Sequence, residues 1–164
     1  MFTKGKKFVA MSIVMFGICV VSALSQAAYA DDSIGKQMTP LERESSSPRG
    51  TLKNPYTDKP DKIVEGHELF MNYGCNGCHG GTGGGGMCPP LNSEVWFYGS
   101  EDDTLFRLIT LGSDALQKEG FIKKSSSIGP MPAMGPGIKS DDDLWKILAW
   151  IRSIYKGDPK RRDW

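Results

Sequence analysis

The chain has 164 residues, of which 39% are hydrophobic, and its 20 Lys and Arg against 19 Asp and Glu give a formal net charge of +1 at pH 7. This balance provides no strongly basic surface for binding nucleic acid. Twenty glycines and ten prolines in a chain of this length predict one small domain whose thin core needs a disulfide, metal or cofactor to stabilise it.

Residues 1–30 have the pattern of a cleaved signal peptide. Three lysines among the first seven residues precede an apolar run at 8–24, and Ala28-Tyr29-Ala30 forms a small-x-small cleavage site. The apolar run approaches the length of a membrane span, but the cleavage pattern and the lack of a following cationic stop favour removal. We therefore expect a periplasmic protein without stable membrane insertion. Its mature chain would keep seventeen Lys and Arg against nineteen Asp and Glu.

Residues 31–57 are predicted to form an extended N-terminal arm. The segment up to residue 60 is polar, contains four prolines and shows no apolar periodicity, which is typical of irregular chain. Such an arm either wraps the following domain or is partly disordered. Residues 58–157 form the predicted domain, and residues 158–164 a C-terminal tail.

The first helix of the domain is predicted at about residues 62–73, with Asp61 as its N-cap. Gly74 follows it and is expected to end it. Gly66 is unfavourable inside a helix, so we expect another helix to approach closely at that position. The residues that share one face of the helix at helical spacing are Ile63, Gly66, Phe70 and Tyr73.

A CxxCH motif at residues 75–79 follows this helix and predicts the cofactor. Two thiols separated by two residues, Cys75 and Cys78, can add to the two vinyl groups of one haem. The next residue, His79, then lies beneath the iron as its proximal ligand. The motif therefore predicts one covalently attached haem c.

Two other interpretations of the motif remain open. A thioredoxin-like redox pair would require a preceding strand in a βαβ unit, whereas a glycine-rich segment follows here. A zinc site would recruit the same three residues together with Cys88. It would require two adjacent residues, Cys78 and His79, to chelate one tetrahedral ion, and no second CxxC or HxxxH pair is present.

A glycine-rich run at residues 81–86 comes next. It does not predict a dinucleotide-binding loop, because no strand precedes it and Cys88-Pro89-Pro90 stands where a helix should begin. The glycines are expected to let the backbone pass close to the haem. Cys88 is the cysteine left over in the mature chain, and it is either a free or intermolecularly paired thiol or a small packed residue near the haem.

Two more helices are predicted. One begins after Ser100, where residues 100–103 resemble a capping box, and ends at Gly112. The other begins after Ser140, whose side chain is expected to cap it, and three following aspartates favour its N-terminal dipole. Residues 120–139 form a loop between them. The apolar stripe of the last helix comprises Leu144, Ile147, Leu148, Ile151, Ile154 and Tyr155.

The sixth position of the iron is expected to hold a methionine. The candidates are Met87, Met131 and Met134, and Met131 is preferred because prolines on both sides restrict its backbone. Met134 is the runner-up. A thioether ligand stabilises ferrous haem, which suits electron transfer, whereas an open sixth position would indicate a haem enzyme or gas sensor.

Residues 58–157 resemble a class I c-type cytochrome. The resemblance implies an all-α fold of three or more helices around one covalently bound haem. It also implies that the Pro89 carbonyl accepts a hydrogen bond from His79, and that Gly66 and Trp150 meet where the first and last helices cross. The motifs that carry it are Gly66-x-x-Leu69-Phe70, CxxCH at 75–79, Cys88-Pro89-Pro90-Leu91 where the family usually has Gly-Pro-x-Leu, Met131-Pro132-Ala133, and Trp150.

Other segments are similar to the methanol-metabolism cytochromes, of the cytochrome cL type or its counterpart for lanthanide enzymes. These segments are Asn54-Pro55-Tyr56, the glycine-rich loop through Met87, residues 96–100 and residues 130–135. The similarity implies a monomeric electron carrier, not an enzyme. It would accept electrons from a PQQ-dependent methanol dehydrogenase and pass them to a small cytochrome c or an oxidase. The main alternative is a carrier for another periplasmic dehydrogenase or oxidase.

Three aromatic residues within these segments have two possible roles. Trp96, Phe97 and Tyr98 either form part of the surface on which a redox partner docks or pack against the porphyrin.

Overall fold

The computed structural model of the protein describes residues 37–121 and 129–158 and assigns no strand within these ranges. The predicted signal peptide and nearly all of the predicted tail lie outside them. None of the helices described there is long and apolar enough to cross a membrane. The helices are Pro40–Ser46 (α1), Pro60–Asn72 (α2), Asn76–His79 (α3), Asp102–Leu111 (α4), Ser113–Lys118 (α5) and Asp141–Ser153 (α6), with a 3-10 turn at Gly135–Gly137 between α5 and α6.

Helices α2 and α6 form the most extensive helix–helix contact. Gly66 of α2 lies against the backbone of α6, and a Cβ at this position would stand 1.9 Å from the Lys146 carbonyl oxygen. The close approach of another helix predicted at Gly66 is thus confirmed. Trp150 packs one turn further along, with its ring centroid 4.6 Å from that of His67 and 4.4 Å from that of Phe70. Only a glycine lets the two backbones approach so closely, whereas the large indole packs where side chains fill the gap.

The core lies between α2, α4 and α6. The apolar stripe predicted for α6 largely faces this core, because its helical spacing places these residues on one side. The almost fully buried side chains include Phe70 from α2, Phe106 from α4, and Leu144, Ile147 and Leu148 from α6.

The N-termini of α2 and α6 show which predicted caps are present. Helix α2 begins at Pro60, with Lys59 in the N-cap position, so Asp61 lies within its first turn rather than capping it. Proline favours this first helical position because its φ angle is already helical and its missing N–H would have no partner there. The predicted cap of α6 is confirmed, since the Ser140 hydroxyl accepts a hydrogen bond of 3.1 Å from the Asp143 N–H.

The capping box predicted for α4 is absent, because Glu101 rather than Ser100 holds the N-cap position. The carboxylate of Asp103 is used for tertiary contacts instead. It accepts a hydrogen bond of 3.3 Å from the Leu52 N–H of the arm and one of 3.0 Å from Arg107 Nε. Tertiary pairing of a buried carboxylate has therefore replaced the local cap.

The arm wraps the domain and contains a helix that was not predicted. Helix α1 has Pro40 in its first turn and a capping box between Thr39 and Glu42, a signal that apolar periodicity does not detect. Arg107, which is buried, holds the arm by an ion pair with Glu44 and by donating a 2.7 Å hydrogen bond to the carbonyl of Ser47. Of the two alternatives for the arm, its described part wraps the domain, and residues 40–46 within it are helical rather than extended.

Tyr56 joins the arm to α6 and makes stability depend on pH. Its hydroxyl donates to the Asp142 carboxylate, and this hydrogen bond raises the pKa of Tyr56 from 10.0 to about 12. Because the folded protein holds the phenol proton more tightly than the unfolded chain, the stabilisation is complete below pH 10 and is lost as the pH rises to about 12.

Tyr56→Phe is therefore expected to lower the free energy of unfolding by about 1 kcal/mol near neutral pH, since the pair is only partly buried. The difference between variant and wild type should shrink as the pH rises through the window from 10.0 to about 12. Urea unfolding of the haem-loaded proteins at neutral pH and within that window measures both values. An equal difference at both pH values would contradict the role of this proton.

Candidate haem site

A cleft lined mostly by apolar side chains lies beside the core of the domain. Helices α2, α4 and α6 contribute apolar side chains to one part of it. Residues from α3, from the loops after α3 and α5, and Ser113 at the start of α5 complete the lining. Such a cleft suits a large, mostly apolar ligand. The apolar lining residues from the three helices are Phe70, Leu105, Leu108, Ile109, Ile147, Leu148 and Ile151.

Both cysteines of the CxxCH motif lie on or next to α3, a single helical turn. The N–H of His79 donates to the carbonyl of Cys75 at 3.1 Å, so this turn brings Cys75, Cys78 and His79 to neighbouring positions on its surface. Cys75 and His79 line the cleft, and burial raises the pKa of the Cys75 thiol. One short element thus presents the predicted attachment and ligand residues together.

The orientation of His79 is fixed by the contact that the family resemblance implied. His79 Nδ1 lies 2.9 Å from the Pro89 carbonyl oxygen, so this nitrogen donates and Nε2 is the one left to bind a metal. A backbone carbonyl partner of this kind holds the ring and raises the basicity of the ligating nitrogen.

The glycine-rich loop folds back under the CxxCH turn. The N–H of Gly85 donates to the carbonyl of His79 at 2.9 Å, and that of Cys88 donates to the carbonyl of Cys78 at 3.1 Å. Cys88 is half-buried. Its pKa is raised mainly by burial and secondly by a hydrogen bond with the Cys78 thiol. In the described ranges only glycines have positive φ angles, so cysteine occupies the family's glycine position without backbone strain.

The second histidine of the chain, His67, lies on α2. It is half-buried, its Nε2 lies 2.8 Å from the carbonyl oxygen of Gly81, and its ring stacks on Trp150. It therefore ties the glycine-rich loop to α2 and is not a second ligand in the cleft. The apolar pattern of the helix did not reveal this role because it depends on a loop fourteen residues away.

Residues 129–135, here called the methionine loop, also border the cleft. Met131 is a cleft-lining residue, and within the described ranges no other methionine is one. Met134 is anchored through its backbone N–H, which donates to the carbonyl of Ile109 at 2.9 Å. Met87 is 73% exposed. The structure thus brings Met131 to the same cleft as His79 and leaves the other two candidates outside its lining.

The aromatic residues 96–98 all line the cleft. Trp96 is buried, donates through Nε1 to the Leu91 carbonyl at 2.8 Å and packs on Tyr155 with ring centroids 4.0 Å apart. Of the two predicted roles, packing beside the cofactor is therefore the one that the geometry favours.

The polar chemistry of the cleft fits a haem. The Tyr98 hydroxyl is buried, and burial raises its pKa while hydrogen bonding with the side chains of Ser113 and Gln117 lowers it. The protein's own side chains can therefore satisfy this polar group, and most of the other lining residues are apolar. The ring of a haem would cover this apolar lining, and the cysteines and histidine of CxxCH and the thioether of Met131 are the donor groups that a haem c requires.

The two other interpretations of CxxCH have no support in the geometry. A thioredoxin-like pair needs a strand, and the described ranges contain none. Nor does any group of three or more His, Cys, Asp or Glu side chains within those ranges form a metal-binding arrangement, as the zinc site from Cys75, Cys78, His79 and Cys88 would require.

Comparison with known proteins agrees with this site. Residues 61–151 match the family described as cytochrome C oxidase, cbb3-type, subunit III. The chain is 30% identical over 118 residues to cytochrome c-L of Methylorubrum extorquens AM1. The aligned segment covers 70% of this chain and 51% of that protein. The chain therefore spans about half the length of this relative.

Two crystal structures are also similar. Cytochrome CL of Methylophaga aminisulfidivorans matches with a TM-score of 0.52 and 26% identity, over 75% of this chain and 70% of that one. Cytochrome cL of Hyphomicrobium denitrificans matches with a TM-score of 0.53 and 26% identity, over 76% of this chain and 71% of that one. The all-α class I fold predicted from sequence is confirmed. The chain belongs to the c-type cytochromes, resembles their cytochrome cL members, and has covalently bound haem c as its cofactor.

Proposed function

We propose that the protein is a periplasmic one-electron carrier with a single haem c held between His79 and Met131. The observation that carries this proposal is that both residues line one apolar cleft, His79 from α3 and Met131 from the methionine loop. Cys75 and Cys78 would attach the cofactor covalently. The Pro89 carbonyl holds the His79 ring by accepting a hydrogen bond from its Nδ1. Bound haem supplies a couple between ferric and ferrous iron, and two protein ligands leave no open position for a substrate.

The proposed electron donor is a PQQ-dependent methanol dehydrogenase. Its support is the similarity to cytochrome c-L and to two cytochrome cL structures. Export to the periplasm follows from the signal pattern of residues 1–30. The acceptor would be a small cytochrome c or an oxidase, and the carrier would act as a monomer that meets each partner through a small, transient interface.

Val95 marks where the donor would meet the cleft. It is 45% exposed and also lines the cleft, so it stands at the mouth. Val64 of α2 is 62% exposed and is not a lining residue. The two valines therefore form a matched pair for testing where a partner docks.

Stopped-flow reduction of the ferric protein by reduced PQQ methanol dehydrogenase tests this proposal. We expect fast transfer that saturates with dehydrogenase concentration. Val95→Asp should slow it by about tenfold or more, since a charge in the centre of a small interface must be desolvated. Val64→Asp should leave the rate unchanged. Absence of saturable transfer would remove this donor and leave the general class of carrier.

A carrier for another periplasmic dehydrogenase or for an oxidase is the second candidate. It is favoured by the match to the family described as cytochrome C oxidase, cbb3-type, subunit III. The same stopped-flow experiment with the ferrous protein and a haem–copper oxidase distinguishes it from the first. A haem enzyme or gas sensor would instead show a five-coordinate high-spin resting state that binds peroxide or carbon monoxide rapidly.

A further inference from the structure

Ser113 makes hydrogen bonds to both backbone groups of Met131. The N–H of Ser113 donates to the Met131 carbonyl at 2.9 Å, and the N–H of Met131 donates to Ser113 Oγ at 3.0 Å. Ser113 is the first residue of α5 and is 6% exposed. Its own N–H is available for this bond because the first turn of a helix leaves its N–H groups without partners in the helix.

The neighbouring residues make this pairing possible. Gly112 has a φ angle of 79°, and a Cβ there would lie 2.8 Å from the Met131 carbonyl oxygen and 2.7 Å from the Ala133 nitrogen. A side chain at residue 112 would therefore push the methionine loop away from α5. Prolines at 130 and 132 have no N–H, so Met131 holds the only backbone donor of these three residues, and that donor is bound by a side chain.

The rest of the loop is held separately. The Met134 N–H donates to the Ile109 carbonyl at 2.9 Å, and Gly135 packs so closely on α4 that a Cβ would lie 2.7 Å from the Thr110 carbonyl oxygen. These contacts fix the loop after residue 133. The pair of bonds from Ser113 is what fixes Met131 itself.

We propose that Ser113 is a positioning residue for the sixth ligand of the haem. Its hydroxyl and N–H hold the Met131 backbone in one orientation, so the thioether enters the cleft already placed to bind iron. This inference rests on the proposed function, in which Met131 is the ligand. Without the hydroxyl, the Met131 N–H loses its acceptor and the loop gains freedom to turn, which weakens sulfur ligation against a competing ligand.

Ser113→Ala in the haem-loaded protein tests the inference. The change removes Oγ but leaves the backbone bond from residue 113 to the Met131 carbonyl. We expect imidazole to bind ferric haem about tenfold more tightly, the equilibrium equivalent of one lost hydrogen bond. The near-infrared sulfur-to-iron band should disappear at a lower temperature than in the wild type, before the helices unfold.

Two variants control for other effects. Ser113→Thr keeps an acceptor oxygen and should restore the imidazole affinity of the wild type. Ser153→Ala makes the same chemical change at an exposed serine of α6 whose hydroxyl donates to the Trp150 carbonyl, and it should leave both readouts unchanged. Unfolding in urea, followed by far-ultraviolet circular dichroism, separates loss of ligation from loss of the fold.

The possible outcomes separate this inference from the proposed function. If Met131→Ala abolishes the sulfur-to-iron band while Ser113→Ala behaves as the wild type, the positioning role is wrong and the ligand stands. If Met131→Ala keeps the band, the ligand assignment fails, and the inference with it. If the Ser113→Ala variant does not take up haem, the rate of hydrogen exchange at the Met131 amide of the wild-type protein tests the inference instead. Exchange as fast as that of an unbonded amide would contradict the positioning role of Ser113.

Discussion

Met131→Ala is expected to abolish the near-infrared sulfur-to-iron band and to lower the reduction potential of the haem-loaded protein. A thioether stabilises ferrous iron, and axial ligands set haem potentials over a range of about 0.8 V. Loss of the sulfur should therefore lower the potential by on the order of 0.1 V or more. The freed position should also bind carbon monoxide, which a six-coordinate carrier binds poorly. Redox titration and near-infrared absorption measure these changes.

Met134→Ala is the matched control for this experiment. Its backbone N–H holds the loop to Ile109, and its side chain packs against the core without lining the cleft. Removing the thioether should therefore leave the band and the potential near their original values. The reverse pattern, with the band lost in Met134→Ala and kept in Met131→Ala, would show that the runner-up is the ligand.

Gly66→Ala is expected to lower the free energy of unfolding by about 3 kcal/mol, near the upper end of the usual cost of overpacking. The added Cβ would stand 1.9 Å from the carbonyl oxygen and 2.5 Å from the carbonyl carbon of Lys146. Both are backbone atoms and cannot rotate away, so α2 and α6 must separate. The better helix propensity of alanine returns only about 1 kcal/mol.

Gly137→Ala provides the control, since a Cβ at that position meets nothing within 4 Å and its backbone does not have a positive φ angle. Its stability should stay within about 0.5 kcal/mol of the wild type. Urea unfolding of the haem-loaded proteins gives both values. A Gly66→Ala variant as stable as Gly137→Ala would show that the two helices do not meet as closely as described.

The CxxCH end of the candidate site was predictable because its residues lie close together in the sequence. Cys75, Cys78 and His79 occupy one helical turn, so their spacing alone indicated the cofactor. The contact between Pro89 and His79 came from the family resemblance, which also identified the fold. The sequence pattern of α2 correctly predicted close packing at Gly66. The helix begins at Pro60 and not near residue 62, because proline is favoured in the first helical position.

The parts that escaped prediction depend on contacts between distant residues or on very short elements. Ser113 is eighteen residues from the methionine that it holds, and no local pattern distinguishes it from a surface serine. Helix α5 has six residues, too few for an apolar period to show. Helix α1, in contrast, has a local signal, because Thr39 and Glu42 have the spacing of a capping box. The prediction from apolar periodicity alone did not use this signal.

The arm connects the two ends of the described chain, and this imposes an order on folding. Arg43 pairs with Asp141, 98 positions later, and Asn54 donates to the Trp145 carbonyl, 91 positions later. A chain that emerges from its N-terminus cannot close these contacts until α6 has also emerged. The CxxCH turn at 75–79 comes out well before that point. If Cys75 and Cys78 attach the cofactor as proposed, they are accessible for that reaction while the domain is still open around them.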